Sequence, residues 1–232
     1  MVYLYIAYFL YIVFACRYIY ADYSDDIKKK RRSKIPVSLL YLAVAILAFF
    51  LNTVDGKLVA ARHFSWIFAG MLLCFYGDML MLNAEKSNRS MIFGMSSFLL
   101  SHIVFATYFT IYLYQNAGQL YNLREIIIFA VGILFGVFFI TRRNLDFGRN
   151  KVLVIIFIIV SVYMIAKASS LIEFMNTSVS WPTFLGVFFA AVSDIFLAYK
   201  YYSKREPKLA LGVALVLYYT GMAILPFGIY YI

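Results

Sequence analysis

Two apolar stretches of the chain each carry a carboxyl group with no basic residue beside it. Asp78 lies in GMLLCFYGDMLML, residues 70–82, and Asp194 in GVFFAAVSDIFLA, residues 186–198. In both, a glycine stands eight residues before the acid and a small residue, Gly77 or Ser193, directly before it. The acids are 116 residues apart, half of the 232-residue chain. An ionisable group inside a bilayer is expensive and marks function by default. Desolvation there penalises the charged form of a carboxyl, so the group can keep its proton near neutral pH and serve as a general acid. Two carboxyls in one pocket can divide the work, one neutral as acid and one ionised as base. Either acid alone could simply hydrogen-bond a tyrosine or a backbone carbonyl and hold helices together. The matched pair, flanked by small residues that let helices approach closely, favours chemistry.

Four further residues are candidates to support the pair. His102, in FLLSHIVFATYF, either packs and hydrogen-bonds within its helix or positions a water beside the acids. Lys34, in KIPVSLL, enters the second apolar run at about the depth of both acids. It either snorkels to the interface or offers a point charge to a lipid phosphate. Tyr218 and Tyr219 can donate hydrogen bonds into the same cavity, with packing the role of at least one. No metal or cofactor is expected. The two histidines, with His63 placed in a loop, are too few for a three-histidine zinc site. Cys16 and Cys74 both lie in apolar runs, which speaks against a disulfide or a thiolate site.

The elements that must position these groups are membrane helices. Hydrophobic residues make up 64% of the chain and charged ones 14%, far from a soluble domain. Runs long enough to span hydrocarbon fall at 2–20, 35–51, 64–82, 91–114, 125–140, 152–170, 181–199 and 209–231, the sixth containing or abutting Lys167. They are continuous and do not alternate as barrel strands would. The expectation is all-α: one polytopic membrane domain of eight transmembrane helices over residues 1–232. The first run has no basic region before it and reads as a retained helix, not a cleaved leader. Tyrosines 3, 5, 8 and 11 read as interfacial or packing residues.

The net charge of +10 sits in short clusters between the runs, a topology signal and not a nucleic-acid surface. Seventeen basic residues, among them Lys28–Lys30, Arg31, Arg32, Lys86, Arg89, Arg142, Arg143, Arg149, Lys200 and Arg205, follow the odd-numbered runs; only Lys57, Arg62, Arg124 and Lys167 fall on the other side. The first side is therefore expected in the cytoplasm, with both termini outside and the acids near the cytoplasmic leaflet. The run 28–32 reads first as a topology anchor and second as a site for anionic headgroups. An offset of 116 lays the fourth run on the eighth and sets His102 against Tyr218. That suggests two parallel four-helix repeats, about 1–116 and 117–232.

At these residues the chain resembles the YhhN-like lysoplasmalogenase family of eight-helix membrane proteins. The carriers are Lys34 with Pro36, the Gly70…Gly77-Asp78 block, Phe98…His102, the Gly186…Ser193-Asp194 block, and Tyr218-Tyr219. The resemblance implies hydrolysis of the vinyl-ether bond of a lysophospholipid, giving a fatty aldehyde and a glycerophospho-choline or -ethanolamine, with Asp78 and Asp194 as the essential acids. Membrane lipids are the other expected partners. Two departures are Phe105, where the family often has tyrosine, and Met222, where it often has glutamine. The rival readings are a proton-coupled transporter and a non-catalytic lipid-binding protein.

Overall fold

In lipid every backbone N–H and C=O must find its partner inside the chain, and a helix supplies one for all but its ends. The computed structural model describes residues 2–23, 27–52, 57–84, 86–118, 121–142, 144–204 and 208–231. Arg143 and Arg205, counted above among the basic residues, lie outside the described residues.

Among the described residues there are eight long helices, each long and apolar enough to cross a membrane. They are α1 (Val2–Asp22), α2 (Ile27–Phe50), α3 (Lys57–Met81), α4 (Asn88–Ala117), α5 (Leu123–Ile140), α6 (Lys151–Phe174), α7 (Thr177–Tyr202) and α8 (Lys208–Tyr230). The chain is thus an all-α, multi-pass membrane protein, as its composition demands. Several helices outrun their apolar segments because polar caps satisfy the exposed ends. Ser87 accepts from the amide of Ser90 ahead of α4, and Asn122 from that of Glu125 ahead of α5. Gly118 closes α4 at φ 64°, a conformation that suits glycine.

Six helices pack in a closed ring in the order α2, α3, α4, α6, α7, α8 and back to α2. α1 lies outside against α2 and α8, and α5 lies outside against α6. The pairings α1–α2, α2–α3 and α3–α4 recur as α5–α6, α6–α7 and α7–α8, while α4–α6 recurs as α8–α2.

Lys167, inside α6, does not interrupt it. Its ammonium sits 2.6 Å from the Glu125 carboxylate with both side chains buried, which ties α5 to α6 at the end of the bundle away from the acids. His63 corrects its expected place in a loop: it lies inside α3, buried, with Nδ1 2.6 Å from the Tyr108 hydroxyl. The charges at Lys57 and Arg62 end the apolar run early, yet the helix continues through them to the interface.

The small residues near the acids do what their spacing suggests. A Cβ on Gly70 would collide with the Phe105 ring, and one on Gly77 would lie 2.9 Å from the Phe98 ring, so α3 rests directly on aromatic side chains of α4. Across the ring, a Cβ on Gly221 would fall 2.6 Å from the Gly186 carbonyl oxygen, where α7 and α8 meet backbone to backbone. Rings can tilt, but two helix backbones cannot part without moving both helices. Gly221→Ala is therefore expected to destabilise the bundle by about 1–3 kcal/mol. Thermal unfolding in detergent checks this: a midpoint equal to wild type would show that the crossing has slack.

Candidate active site

Both acids line one polar cleft at the end of the bundle where α1 finishes and α2 begins. The surroundings of the two carboxyls differ.

Asp78 is surrounded by donors. The Lys34 ammonium lies 3.2 Å from Oδ1, and Oδ2 accepts from the hydroxyls of Ser38 at 2.9 Å, Tyr218 at 3.0 Å and Tyr41 at 3.4 Å. Lys34, Ser38 and Tyr41 stand at i, i+4 and i+7, one face of α2. One oxygen thus accepts three hydroxyl protons while the other meets an ammonium. Lys34 does not snorkel to the interface: its side chain is only 8% exposed, and its ammonium faces Asp78.

Asp194 has sparser company. His102 Nε2 lies 3.4 Å from its Oδ2, and His102 Nδ1 lies 2.8 Å from Ser161 Oγ. Ser161 donates its one hydroxyl proton to the Phe157 carbonyl at 2.7 Å. With that proton spent, Ser161 can only accept from the ring, so the proton on Nδ1 is assigned by the hydrogen-bond chain. The remaining nitrogen, Nε2, carries no proton and faces Asp194 Oδ2 at 3.4 Å. Positions 116 residues beyond Ser38 and Tyr41 are Val154 and Phe157 on α6. Where Asp78 meets hydroxyls, the corresponding residues near Asp194 are apolar.

Those apolar residues open into a second cleft between α4, α5, α6 and α7. Asp194 lines it together with Ser161 and a wall of aliphatic and aromatic side chains. The polar cleft carries Lys30, Lys34, Lys86 and Lys200 besides Asp22 and the two acids. Met81, Phe98, Asp194, Leu197 and Tyr201 line both clefts, so the two are contiguous and Asp194 is the charged residue at their junction.

The structure thus brings Asp78, Asp194, Lys34, His102 and Tyr218 to one site. Each acid is met from the opposite half of the chain, Asp78 by Tyr218 and Asp194 by His102, at the two positions the offset of 116 had matched. Tyr219 stands apart: it lines neither cleft, and its ring packs against Tyr11, Tyr18 and Tyr218. Ser38, Tyr41 and Ser161 are site residues that the sequence reading missed. Phe105 and Met222 are buried in the core and line neither cleft, so the two departures leave the walls of the site untouched. Among the described residues no group of histidine, cysteine or acidic side chains is arranged to hold a metal ion.

Compared with known proteins, the chain matches no curated protein and no solved structure. The model of the YhhN family matches it over residues 35–229, from the helix that carries Lys34, Ser38 and Tyr41 to the end of the helix that carries Tyr218. On that match, which takes in both acids and all but one of their partners, the chain belongs to the YhhN family.

Proposed function

We propose that the protein hydrolyses the vinyl-ether bond of 1-alkenyl lysophospholipids, releasing a fatty aldehyde and a glycerophospho-alcohol. The observation that carries this reading is the unlike pair of carboxyls on one cleft, Asp78 surrounded by donors and Asp194 facing the bare Nε2 of His102.

A vinyl ether breaks when its terminal alkene carbon takes a proton. The alkene electron pair forms the new C–H bond and the ether oxygen supports the positive charge left on the neighbouring carbon. Water adds to that oxocarbenium ion and loses a proton, and the resulting hemiacetal collapses to aldehyde and alcohol. One water is consumed and the catalytic proton is returned. The same charge logic governs the two-carboxylate cleavage of glycosides, which passes through a related cation. Asp194 delivers the proton, at the boundary of the apolar cleft where competing water is scarce. The ionised Asp78 faces the cation and orients the attacking water, held in place by Lys34, Ser38, Tyr41 and Tyr218. The proton that the added water loses returns to Asp194, and His102 Nε2, bare while Nδ1 holds the ring proton, keeps the Asp194 carboxyl oriented. The lysine-rich end that holds the site faces the cytoplasm, with both termini outside, so a lysolipid enters from the inner leaflet. Protease protection of a tag at either terminus in sealed cells tests the orientation.

Purified protein given alkenyl, acyl and alkyl lysophospholipids in parallel tests the chemistry. Aldehyde from the alkenyl lipid alone is the expected result. Fatty acid from the acyl lipid, or uptake into proteoliposomes with no lipid cleaved, would overturn it.

Ser161 is a positioning residue in this scheme: it lines the apolar cleft, but it acts on the reacting atoms only through His102. Ser161→Ala removes the acceptor that fixes the imidazole, and is expected to lower kcat by about tenfold with little change in KM. Ser161→Thr keeps the hydroxyl and restores the rate. If the alanine and threonine variants behave alike, the serine acts through packing and not through the ring.

A further inference from the structure

The proposed function does not say how the lipid lies in the site, and the junction of the two clefts bears on this. The apolar cleft can stabilise hydrocarbon and little else. Its α5 side is built from Gly132, Phe135, Gly136 and Phe139, and Phe135 is 52% exposed at the outer surface, where a membrane protein meets acyl chains. The polar cleft opens at the lysine-rich end, and its charged lining is four lysines against three aspartates. Lys34 is committed to Asp78 at 3.2 Å, whereas Lys30 holds Asp22 only loosely, at 4.0 Å. Lys86 is exposed in the turn after α3, and the Lys200 ammonium lies over the Tyr201 ring at 4.7 Å, on the strip of residues common to both clefts.

We infer that Lys86 and Lys200, with Lys30 beside them, form a subsite for the phosphate of a single-chain lipid whose hydrocarbon lies in the apolar cleft. This rests on the reading of Asp194 as the group that meets the vinyl ether. Spacing supports the assignment. Seven bonds separate the alkene carbon that takes the proton from the phosphorus of a lysolipid, an extended reach on the order of 9 Å at ordinary bond lengths. Lys200 stands six residues beyond Asp194 on α7, a rise of about 9 Å along the helix. A lipid with its reactive carbon at Asp194 and its chain between α5 and α7 therefore sets its phosphate level with Lys200, in the cleft that Lys86 also lines. Ammonium groups suit this role as point charges that do not demand one orientation of the phosphate. The arrangement also places a polar headgroup, whatever its alcohol, outside the bundle beyond the lysines, so headgroup identity should matter less than the phosphate itself.

The test uses ligands that cannot be cleaved. A 1-alkyl lysophosphocholine has a saturated ether with no alkene carbon to protonate, and the 1-alkylglycerol of the same chain length lacks only the phosphate headgroup. Binding of both to the full-length protein in nanodiscs is measured for wild type, for Lys86→Ala/Lys200→Ala, and for Arg62→Ala. Arg62 is exposed near the other end of α3 and serves as a charge control. The double variant is expected to bind the phosphate-bearing lipid about tenfold more weakly, with the alkylglycerol unaffected and Arg62→Ala changing neither. An equal loss for both ligands would mean the lysines act through the fold, and no loss for either would remove them from the site; each outcome overturns the subsite. Glycerophosphocholine and inorganic phosphate are run as competitors without a chain. Should either bind as tightly as the lipid, the subsite belongs to a small soluble phosphate and the lipid assignment is overturned. Since no bond is broken in these measurements, lysine-dependent binding combined with no aldehyde from the alkenyl lipid would defeat the hydrolase reading while leaving the subsite standing.

Discussion

Asp194→Asn should lower the rate of aldehyde release by about a thousandfold, within the 10²–10⁴ range attributed to a positioned general acid, and should leave lipid binding nearly unchanged. The amide has the shape of the carboxyl and still offers a hydrogen bond toward His102, but it has no proton to give to carbon. The loss must therefore appear in kcat, with the affinity for an uncleavable 1-alkyl lysolipid close to wild type. Stability should be little affected, because among the described residues the Asp194 carboxyl meets His102 alone, and that contact is long, 3.4 Å. A second readout bears on the same step. Proton transfer to carbon in the rate-limiting step slows in heavy water, so wild type should show a normal solvent isotope effect on kcat. The residual activity of Asp194→Asn should show less if it proceeds by another route. Retention of a tenth or more of the wild-type rate would remove Asp194 from the chemistry.

Much of this site could be read from the sequence, for a physical reason. A charge in an apolar run stands out in any chain meant for lipid, so Asp78, Asp194, His102 and Lys34 were visible one by one. The internal offset then paired His102 with Tyr218, and the structure sets these two residues on the two acids. The partners of a charge are harder to see, because they depend on how helices cross. Ser38 and Tyr41 look like ordinary residues of a membrane helix; only their i+4 and i+7 spacing from Lys34 marks a polar stripe, and nothing local says which acid it meets. The partner of Lys34 was hidden for the same reason, since its pairing with Asp78 exists only once α2 lies on α3. Ser161 is one hydroxyl among aliphatic side chains, and a serine there usually bonds its own helix, as this one also does through the Phe157 carbonyl. Tyr219 fails in the opposite sense, because adjacent residues on a helix point some 100° apart and only Tyr218 faces the cleft.

Replacing Asp78 should bring two losses that can be separated. Asp78→Asn leaves the Lys34 ammonium buried without its counter-charge, and breaking such a pair from one side costs about 3–5 kcal/mol. It also removes the anion proposed to face the oxocarbenium ion, with an expected fall in kcat of about a hundredfold or more. Taken alone, the variant cannot distinguish a catalytic group from a structural one, because a bundle that loosens loses activity too. Lys34→Met should be milder in stability, since Ser38, Tyr41 and Tyr218 still donate to the carboxylate. Combining them resolves the ambiguity. In Lys34→Met/Asp78→Asn both charges are gone, and a buried ion pair replaced from both sides often returns to wild-type stability or exceeds it. Thermal unfolding should therefore recover in the double variant, while aldehyde release should stay at the level of Asp78→Asn. Recovery of both together would mean that Asp78 only neutralises Lys34, and the cation would have to be stabilised by another group. Recovery of stability alone would assign the carboxylate a part in the reaction that no neutral side chain of the same shape can take over.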